Sequence, residues 1–374
     1  MPAMTAIPNK ILVRGVNWLG DAVMTTPALL RLREALPGAH ISLLTPSKLA
    51  DLWSEHPAID AVEIFEKGER VWSVGARLRR LKFDTALVLP NSPRSALDAW
   101  FAGIPRRVGG SSPWRNIFLT EAVAARPGHL AMHKRTAGEI NRLIQTGFVK
   151  ENIPAGAHHI HQYLHLAAAL GANPAPLPPR LGVSGEAVSR IKERLGMSHD
   201  NHVQPVWIGL NPGAEYGPAK RWPEDRFAET AIRVQRQIPC RWMIFGLLSD
   251  AEMAGRIAAK INQAAGSDHA AINLAGETTL GELCAALSLC RVLLTNDSGP
   301  MHVAAALGTK VVVPFGSTSP ELTGPGLPGD SRHRLLRAGA PCSPCFLREC
   351  PIDFRCMNNI QVDEVVRAVV ESAK

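Results

Sequence analysis

Four short segments combine residue types that could do chemistry. The first is the loop 15–21, Gly-Val-Asn-Trp-Leu-Gly-Asp, which follows an apolar run and precedes a helical stretch. Gly15 and Gly20 have the spacing of a phosphate loop, but Asp21-Ala22 stands where Lys-Ser/Thr would be needed, so a Walker A motif is absent. The G-x-G-x-x-G dinucleotide fingerprint is missing too, which argues against NAD. What remains is a carboxylate at a helix start. Asp21 reads either as a helix cap, favoured by the dipole, or as a general base for an incoming hydroxyl.

The second segment is 211–223, Asn-Pro-Gly-Ala-Glu-Tyr-Gly-Pro-Ala-Lys-Arg-Trp-Pro. Gly213 and Gly217 permit close backbone approach to a ligand, and Lys220 and Arg221 offer positive charge to a phosphate. The third is 295–302, Thr-Asn-Asp-Ser-Gly-Pro-Met-His, after the apolar run Val292-Leu293-Leu294. Ser298 suits an N-cap and Pro300 the first helical turn, whose free N–H groups could bind a diphosphate. His302 could reach the same anion or sit as a satisfied core residue, and Asp297 could orient backbone or sugar hydroxyls. Asp250, after Phe245-Gly246, could hold ribose hydroxyls or cap a helix, and the backbone of 276–279 could line a base pocket. The fourth segment is Cys342-x2-Cys345-x4-Cys350-x5-Cys356, four of seven cysteines, a candidate structural metal site whose later spacings match no standard zinc ribbon.

These segments need elements to position them. In the first half, strand-like runs at 11–16, 41–45, 62–65 and 85–89 alternate with helical stretches at 22–36, 48–56, 71–81 and 95–101. Helical stretches at 134–148 and 163–170 follow, then a proline-rich spacer at 171–179 and a short helix at 186–195. In the second half, strands at 206–210, 242–245, 271–274, 292–295 and 310–315 alternate with helices at 224–238, 250–264, 280–289 and 300–307, and a last helix spans 362–373. This alternation predicts α/β architecture with parallel sheets, two doubly wound Rossmann-like domains facing a central cleft. Ligands of such sheets sit outside the carboxyl ends of the strands, where the first three segments fall. The reading divides the chain into a first domain 1–180, a second domain 181–360 containing the cysteine segment, and a C-terminal helix 361–374 packing back across the cleft.

Composition sets outer bounds. A chain of 374 residues with 46% hydrophobic and 20% charged residues suits two folded domains and excludes a disordered or disulfide-dense protein. No apolar run is long enough to span a bilayer, and the N-terminus lacks a signal-peptide core, so a cytoplasmic protein with reduced cysteines is expected. The net charge of +8 points to anionic partners. Aromatic content of 5% is too low for obvious base-stacking platforms, so nucleic acid is not expected. Arg77, Arg79, Arg80 and Lys82 crowd one helix, joined by Arg94, Arg106, Arg107, Arg115, Lys134 and Arg135, and could face an anionic membrane leaflet or form a solvated surface.

Taken together, GDAVMTTPAL (20–29), LPNSPRSAL (89–97), FAGIPRRVG (101–109), NPGAEYGPAKRWP (211–223), NLAGET (273–278) and TNDSGPMHVAAALG (295–308) resemble the signature segments of the ADP-heptose glycosyltransferases, family nine. The resemblance covers nearly the whole chain. It makes the first domain the acceptor-binding and the second the donor-binding domain. It implies a GT-B fold and an inverting transfer of L-glycero-D-manno-heptose from ADP-heptose to the first heptose of the Kdo2–lipid A inner core. The alternative is a family member with a different acceptor, such as Kdo2–lipid A itself. It also implies a protein peripheral at the cytoplasmic face of the inner membrane, with no cofactor and no divalent metal in catalysis. Asp21 would be the base and Lys220 the contact to the donor phosphates. Tyr216, Asp250, Thr278, Asp297, Ser298, Gly299 and His302 would complete the donor site, and Asn91 and Arg94 would meet the acceptor.

Overall fold

The computed structural model describes residues 8–147, 153–197 and 205–374. The polar stretch 198–204, placed by sequence at the domain boundary, lies outside them. The chain divides into two compact units, residues 1–129 with 159–182, and residues 130–158 with 183–374.

The first unit is built on a six-stranded parallel sheet of order β3-β2-β1-β4-β5-β6, with β1 Lys10–Arg14, β2 His40–Pro46, β3 Ala61–Phe65, β4 Thr85–Val88, β5 Arg106–Gly110 and β6 Glu121–Val123. This is the doubly wound order, with its switch point between β1 and β4. Leu12, Leu44, Ala86 and Val88 form the sheet's side of a core closed by Val74 and Leu78 of the helix Val71–Arg79 and Ala96 and Ala99 of the helix Pro93–Phe101. The stretch expected as a helix at 48–56 is a 3-10 helix, Ser47–Trp53. Strands β5 and β6, the last two on one side of the sheet, carry arginine, glycine and glutamate rather than an apolar run, which is why pattern reading passed over them.

The second unit repeats the topology. Its sheet has the order β12-β11-β10-β7-β8-β9, with β7 Val206–Asn211, β8 Cys240–Ile244, β9 Ala271–Asn273, β10 Val292–Thr295, β11 Lys310–Pro314 and β12 Arg334–Leu336. All pairings are parallel, and the switch point lies between β7 and β10. The core joins Ile208, Leu210, Trp242, Ile244 and Leu294 to Phe227, Ile257 and Val369.

Two expected boundaries change. Residues 130–158 belong with the second unit, and Ile140 of the helix Ala137–Thr146 enters its core. The final helix, Val362–Ala373, also belongs there: Val365, Val366, Val369 and Val370 are in that same core, so its apolar face is already occupied.

Candidate functional site

In the first unit, β1 runs into the loop 15–18 and then the helix Leu19–Ala35. Asp21 is the third residue of that helix. The N-cap is Trp18, which makes no side-chain capping bond, so the cap reading of Asp21 does not describe its place. The helix is buried along most of its length and contains Pro27, which removes the N–H that would bond the carbonyl of Val23. Thr26 repairs this: its Oγ1 donates to Val23 O at 2.8 Å. Thr25 Oγ1 donates in the same way to Ala22 O at 2.7 Å. The helix therefore stays continuous behind Asp21.

Two groups that the sequence did not single out hold this region. The helix Ile160–Ala168 packs on the helix that carries Asp21, and its buried Tyr163 hydrogen-bonds Asp21. Burial first, then the negative charge of Asp21 and the bond to it, push the phenol well above its ordinary value. The hydroxyl therefore stays a donor to the carboxylate. At the base of the loop, Arg14 Nε bonds Asp98 Oδ2 at 2.8 Å, with the two side chains 4% and 6% exposed. The same guanidinium donates to Gly15 O and, at 3.2 Å, to Asn17 Oδ1, and lies 4.4 Å from the Phe65 ring. Burial outweighs the partner at both ends: it lowers the Arg14 pKa and raises that of Asp98.

In the second unit, the ends of β7 and β10 are tied across the switch point. Asn211 Nδ2 reaches Thr295 Oγ1 and Ser298 Oγ, each at 3.2 Å. Asn296 Nδ2 donates to Pro212 O at 2.7 Å, while its Oδ1 accepts from Trp222 N at 2.9 Å. These bonds fix both loops to one another. Lys220 Nζ lies 2.6 Å from Asp297 Oδ2, with side-chain exposures of 14% and 5%. Asp297 Oδ2 also accepts from Thr318 Oγ1 at 2.5 Å. Lys220 sits 4.8 Å from the Tyr216 ring and Arg348 lies 5.2 Å from it; the Tyr216 hydroxyl donates to Phe346 O at 2.8 Å. Gly217, at φ +152°, is packed so closely that a Cβ would lie 2.5 Å from Arg348 O.

Ser298 is the N-cap of the helix Gly299–Ala306, makes no side-chain capping bond, and is followed by no acid in the first turn. That helix start can accept an anion. His302 is buried in the same helix. Asp250 is buried beside the loop: its Oδ2 accepts from Leu247 N at 3.1 Å, and its Oδ1 is 3.4 Å from Arg221 Nη2. A Cβ on Gly213 would meet Asp250 at 2.4 Å, so glycine is what lets this acid reach the loop. Thr278 is half-buried in the turn after β9, and Gly276 N bonds Gly246 O at 3.0 Å, which joins that turn to the loop before Asp250.

The predicted donor residues thus gather at the carboxyl ends of β7, β8, β9 and β10. Asn91 and Arg94 are exposed beyond β4 in the first unit, where Arg94 Nη2 donates to Glu69 O at 2.7 Å. The expected basic face is smaller than the sequence suggested. Arg115 is fully buried, donating to Gly110 O and to Val88 and Pro90 carbonyls at 3.2 and 2.7 Å, and burial lowers its pKa to about 10. Arg77 donates to Ile64 O at 2.6 Å and lies 3.7 Å from Glu69; Arg106 pairs with Glu121 at 2.7 Å. Lys134 and Arg135 belong to the second unit.

The cysteine segment also reads differently. Cys342, Cys345, Cys350 and Cys356 line a cavity of about 10 Å³ beside Ile140 and Ile352. Among the described residues no group of three or more His, Cys, Asp or Glu is arranged to hold a metal ion. All four are free cysteines, and burial pushes the Cys356 thiol up to about 12. Cys342, Cys345 and Cys356 lie in the second unit's core, and Cys350 is half-buried beside them.

Thr318 and Arg348 were missed because neither stands in a glycine-rich loop. Thr318 had a usable signal, since it follows β11 at another carboxyl strand end. Arg348 and Tyr163 had none, because only folding brings them to Tyr216 and Asp21.

A family model described as glycosyltransferase family 9 (heptosyltransferase) matches residues 127–354. Lipopolysaccharide heptosyltransferase 2 of Escherichia coli K12 is 32% identical over 329 residues, covering 84% of this chain and 85% of that protein. The protein of the same name from Salmonella typhimurium is 33% identical over 331 residues, with 84% and 85% covered. The solved structure of E. coli ADP-heptose LPS heptosyltransferase II superposes with a TM-score of 0.75 at 28% identity, over 97% of this chain and 98% of that one.

Proposed function

The chain belongs to glycosyltransferase family 9, the heptosyltransferases, and from that premise we propose that it transfers L-glycero-D-manno-heptose from ADP-heptose to the first heptose of the Kdo2–lipid A inner core. The observation that carries the donor half is the buried Lys220–Asp297 pair, 2.6 Å apart, beside the acid-free start of the helix Gly299–Ala306. In an inverting displacement the acceptor oxygen bonds the anomeric carbon as its bond to phosphate breaks, and ADP leaves. The leaving diphosphate gains negative charge, which Lys220 and the helix N–H groups are placed to stabilise. Tyr216, Asp250, Thr278, Asp297, Ser298, Gly299 and His302 form the rest of the donor site, with Asp250 holding the ribose. Asp297 keeps Lys220 in position, and Thr318 keeps Asp297.

Asp21 takes the proton from the acceptor hydroxyl, with Tyr163 donating to its carboxylate. Asn91 and Arg94 contact the acceptor. Positive charge for the diphosphate comes from the protein, so transfer needs no divalent cation and proceeds in EDTA. The acceptor is an anchored, phosphorylated lipid, which places the enzyme peripherally on the cytoplasmic face of the inner membrane; among the described residues no helix is long and apolar enough to cross one.

The deciding assay supplies ADP-heptose with either Kdo2–lipid A or its mono-heptosylated form. Addition to the mono-heptosylated form supports the reading. Addition only to Kdo2–lipid A transfers the assignment to the other acceptor, and addition to neither ends it.

A further inference from the structure

In the first unit, the turn between β5 and β6 carries two of the most exposed large apolar side chains of the described residues, Trp114 at 87% and Ile117 at 75%. Trp100, at 44%, stands beside them: its ring is 4.9 Å from Phe101 and 5.8 Å from Phe118, edge to face. The turn is held firmly. Ser112 N donates to Asn116 Oδ1 at 3.0 Å, Asn116 Nδ2 donates to Ser111 Oγ at 3.1 Å, and buried Arg115 anchors the turn from below. Trp114 adopts φ +63°, a backbone conformation that residues other than glycine, asparagine and aspartate seldom take. A rigid turn that holds an indole out in water in a disfavoured conformation marks a contact surface.

Cations border the patch. Arg79, Arg80 and Lys82 are exposed at the end of the helix Val71–Arg79 and just after it, and half-buried Arg107 lies on β5, while Arg115 is buried and Arg77 and Arg106 are paired with Glu69 and Glu121. Arg79 Nη2 donates to Phe101 O at 2.6 Å and Arg107 Nε to Phe118 O at 2.8 Å, so both cations border the aromatic group. The apolar area on offer, on the order of 400 Å² for two tryptophans and an isoleucine, is too small for a standard protein interface, which needs roughly 800 Å² per partner. It suits a headgroup layer, where indoles settle and arginines meet anionic lipid.

We propose that Trp100, Trp114 and Ile117, bordered by Arg79 and Arg107, form the surface by which this protein docks on an anionic lipid bilayer. The proposal deepens the reading of a membrane-anchored acceptor, and its test does not depend on turnover. Full-length protein is sedimented with vesicles of phosphatidylcholine alone and with vesicles containing about one third phosphatidylglycerol. Wild type binds the anionic vesicles, less so at high salt, and W114A/I117S binds at least tenfold more weakly while melting at the wild-type temperature. An Arg80→Glu/Lys82→Glu variant, altered on the neighbouring exposed cations, weakens binding and leaves the aromatics in place. A wild type that binds neither vesicle, or a W114A/I117S variant that binds as well as wild type, overturns the proposal. So does a variant whose only change is loss of self-association on gel filtration, which would assign the patch to a protein partner. With acceptor dispersed in detergent the W114A/I117S variant turns over at the wild-type rate. Absence of any transfer by wild type would end the functional reading while leaving the vesicle result to judge this surface by itself.

Discussion

The two sheets share one strand order, yet their switch points carry opposite chemistry. In the first unit the helix after β1 has its own carboxylate, Asp21, in its first turn, and the strand end beneath it is closed by the buried Arg14–Asp98 pair. In the second unit the helix after β10 has no acid in its first turn and no side-chain cap on Ser298, and Lys220 stands in the neighbouring loop. A helix start that already holds a carboxylate has its dipole answered and repels a phosphate. One without a carboxylate attracts it. On the proposed function, the same topology would separate a proton-accepting end from an anion-accepting end, and the difference lies in a few residues per loop.

The largest test of that division is Asp21→Asn. It keeps the shape of the side chain and removes its basicity, so turnover is expected to fall by about 10²- to 10⁴-fold. ADP binding, which belongs to the other unit, should be unchanged by calorimetry. Weakened ADP binding with normal turnover would reverse the roles of the two switch points.

Lys220→Ala addresses the anion side. Removing a positive charge aimed at the leaving group should lower turnover about 10²-fold or more and weaken ADP binding. It also strands Asp297, only 5% exposed, without its partner, at a cost of about 3–5 kcal/mol by thermal or urea unfolding. Adding Asp297→Asn to that variant should restore most of the stability and none of the turnover. Recovery of both would make the pair a structural tie only.

A third contrast is in acid sensitivity. His56 of the first unit is buried, its Nδ1 accepts from Ala58 N at 3.3 Å, and its Nε2 has no partner; burial lowers its pKa from 6.5 to about 4. The protonated ring is thus disfavoured in the folded state. Its stabilisation is full above pH 6.5 and is lost as pH falls towards 4, a contribution of about 3 kcal/mol. In the second unit, His333 is lowered by burial too, but Asp330 opposes that shift. Hydrogen exchange between pH 6.5 and 4 should therefore loosen β1–β3 before β7–β9, and His56→Leu should flatten the first slope. Equal loosening of both sheets would remove the contrast.

How much of this was legible follows from where the signals lie. The central strands β1, β2, β7, β10 and β11 are buried apolar runs between glycine and proline turns, so their periodicity shows in the chain itself. Lys220, Asp250 and Asp297 stood out because glycines and charges cluster after such strands. The Arg14–Asp98 pair was invisible, because 84 residues separate its members and neither lies in a loop with a motif. The arginines misled for the opposite reason. Arg115 counts as surface charge in any composition, and only the fold turns it inward to bond three carbonyls.

The smallest expected effect, and the sharpest, concerns Tyr163. It sits on a helix 142 positions along the chain from Asp21, and its hydroxyl hydrogen-bonds the Asp21 carboxylate. A hydrogen bond to a charged group contributes about 1.5–3 kcal/mol, partly offset by what replaces it, and 1.36 kcal/mol corresponds to one pKa unit. Tyr163→Phe removes the donor, destabilises the carboxylate form of Asp21 and raises its pKa. The acid limb of the kcat/KM profile should move upward by about one unit, with turnover above that limb reduced less than tenfold and the KM for ADP-heptose unchanged. The phenol's own raised value gives a second readout. Its stabilisation is present below the ordinary tyrosine value of 10.0 and is lost as pH rises beyond it, so the variant should lack that part of the alkaline loss. If the alkaline behaviour changes and the acid limb stays fixed, Tyr163 packs the helix pair without tuning the base. The first switch point would then work through Asp21 alone.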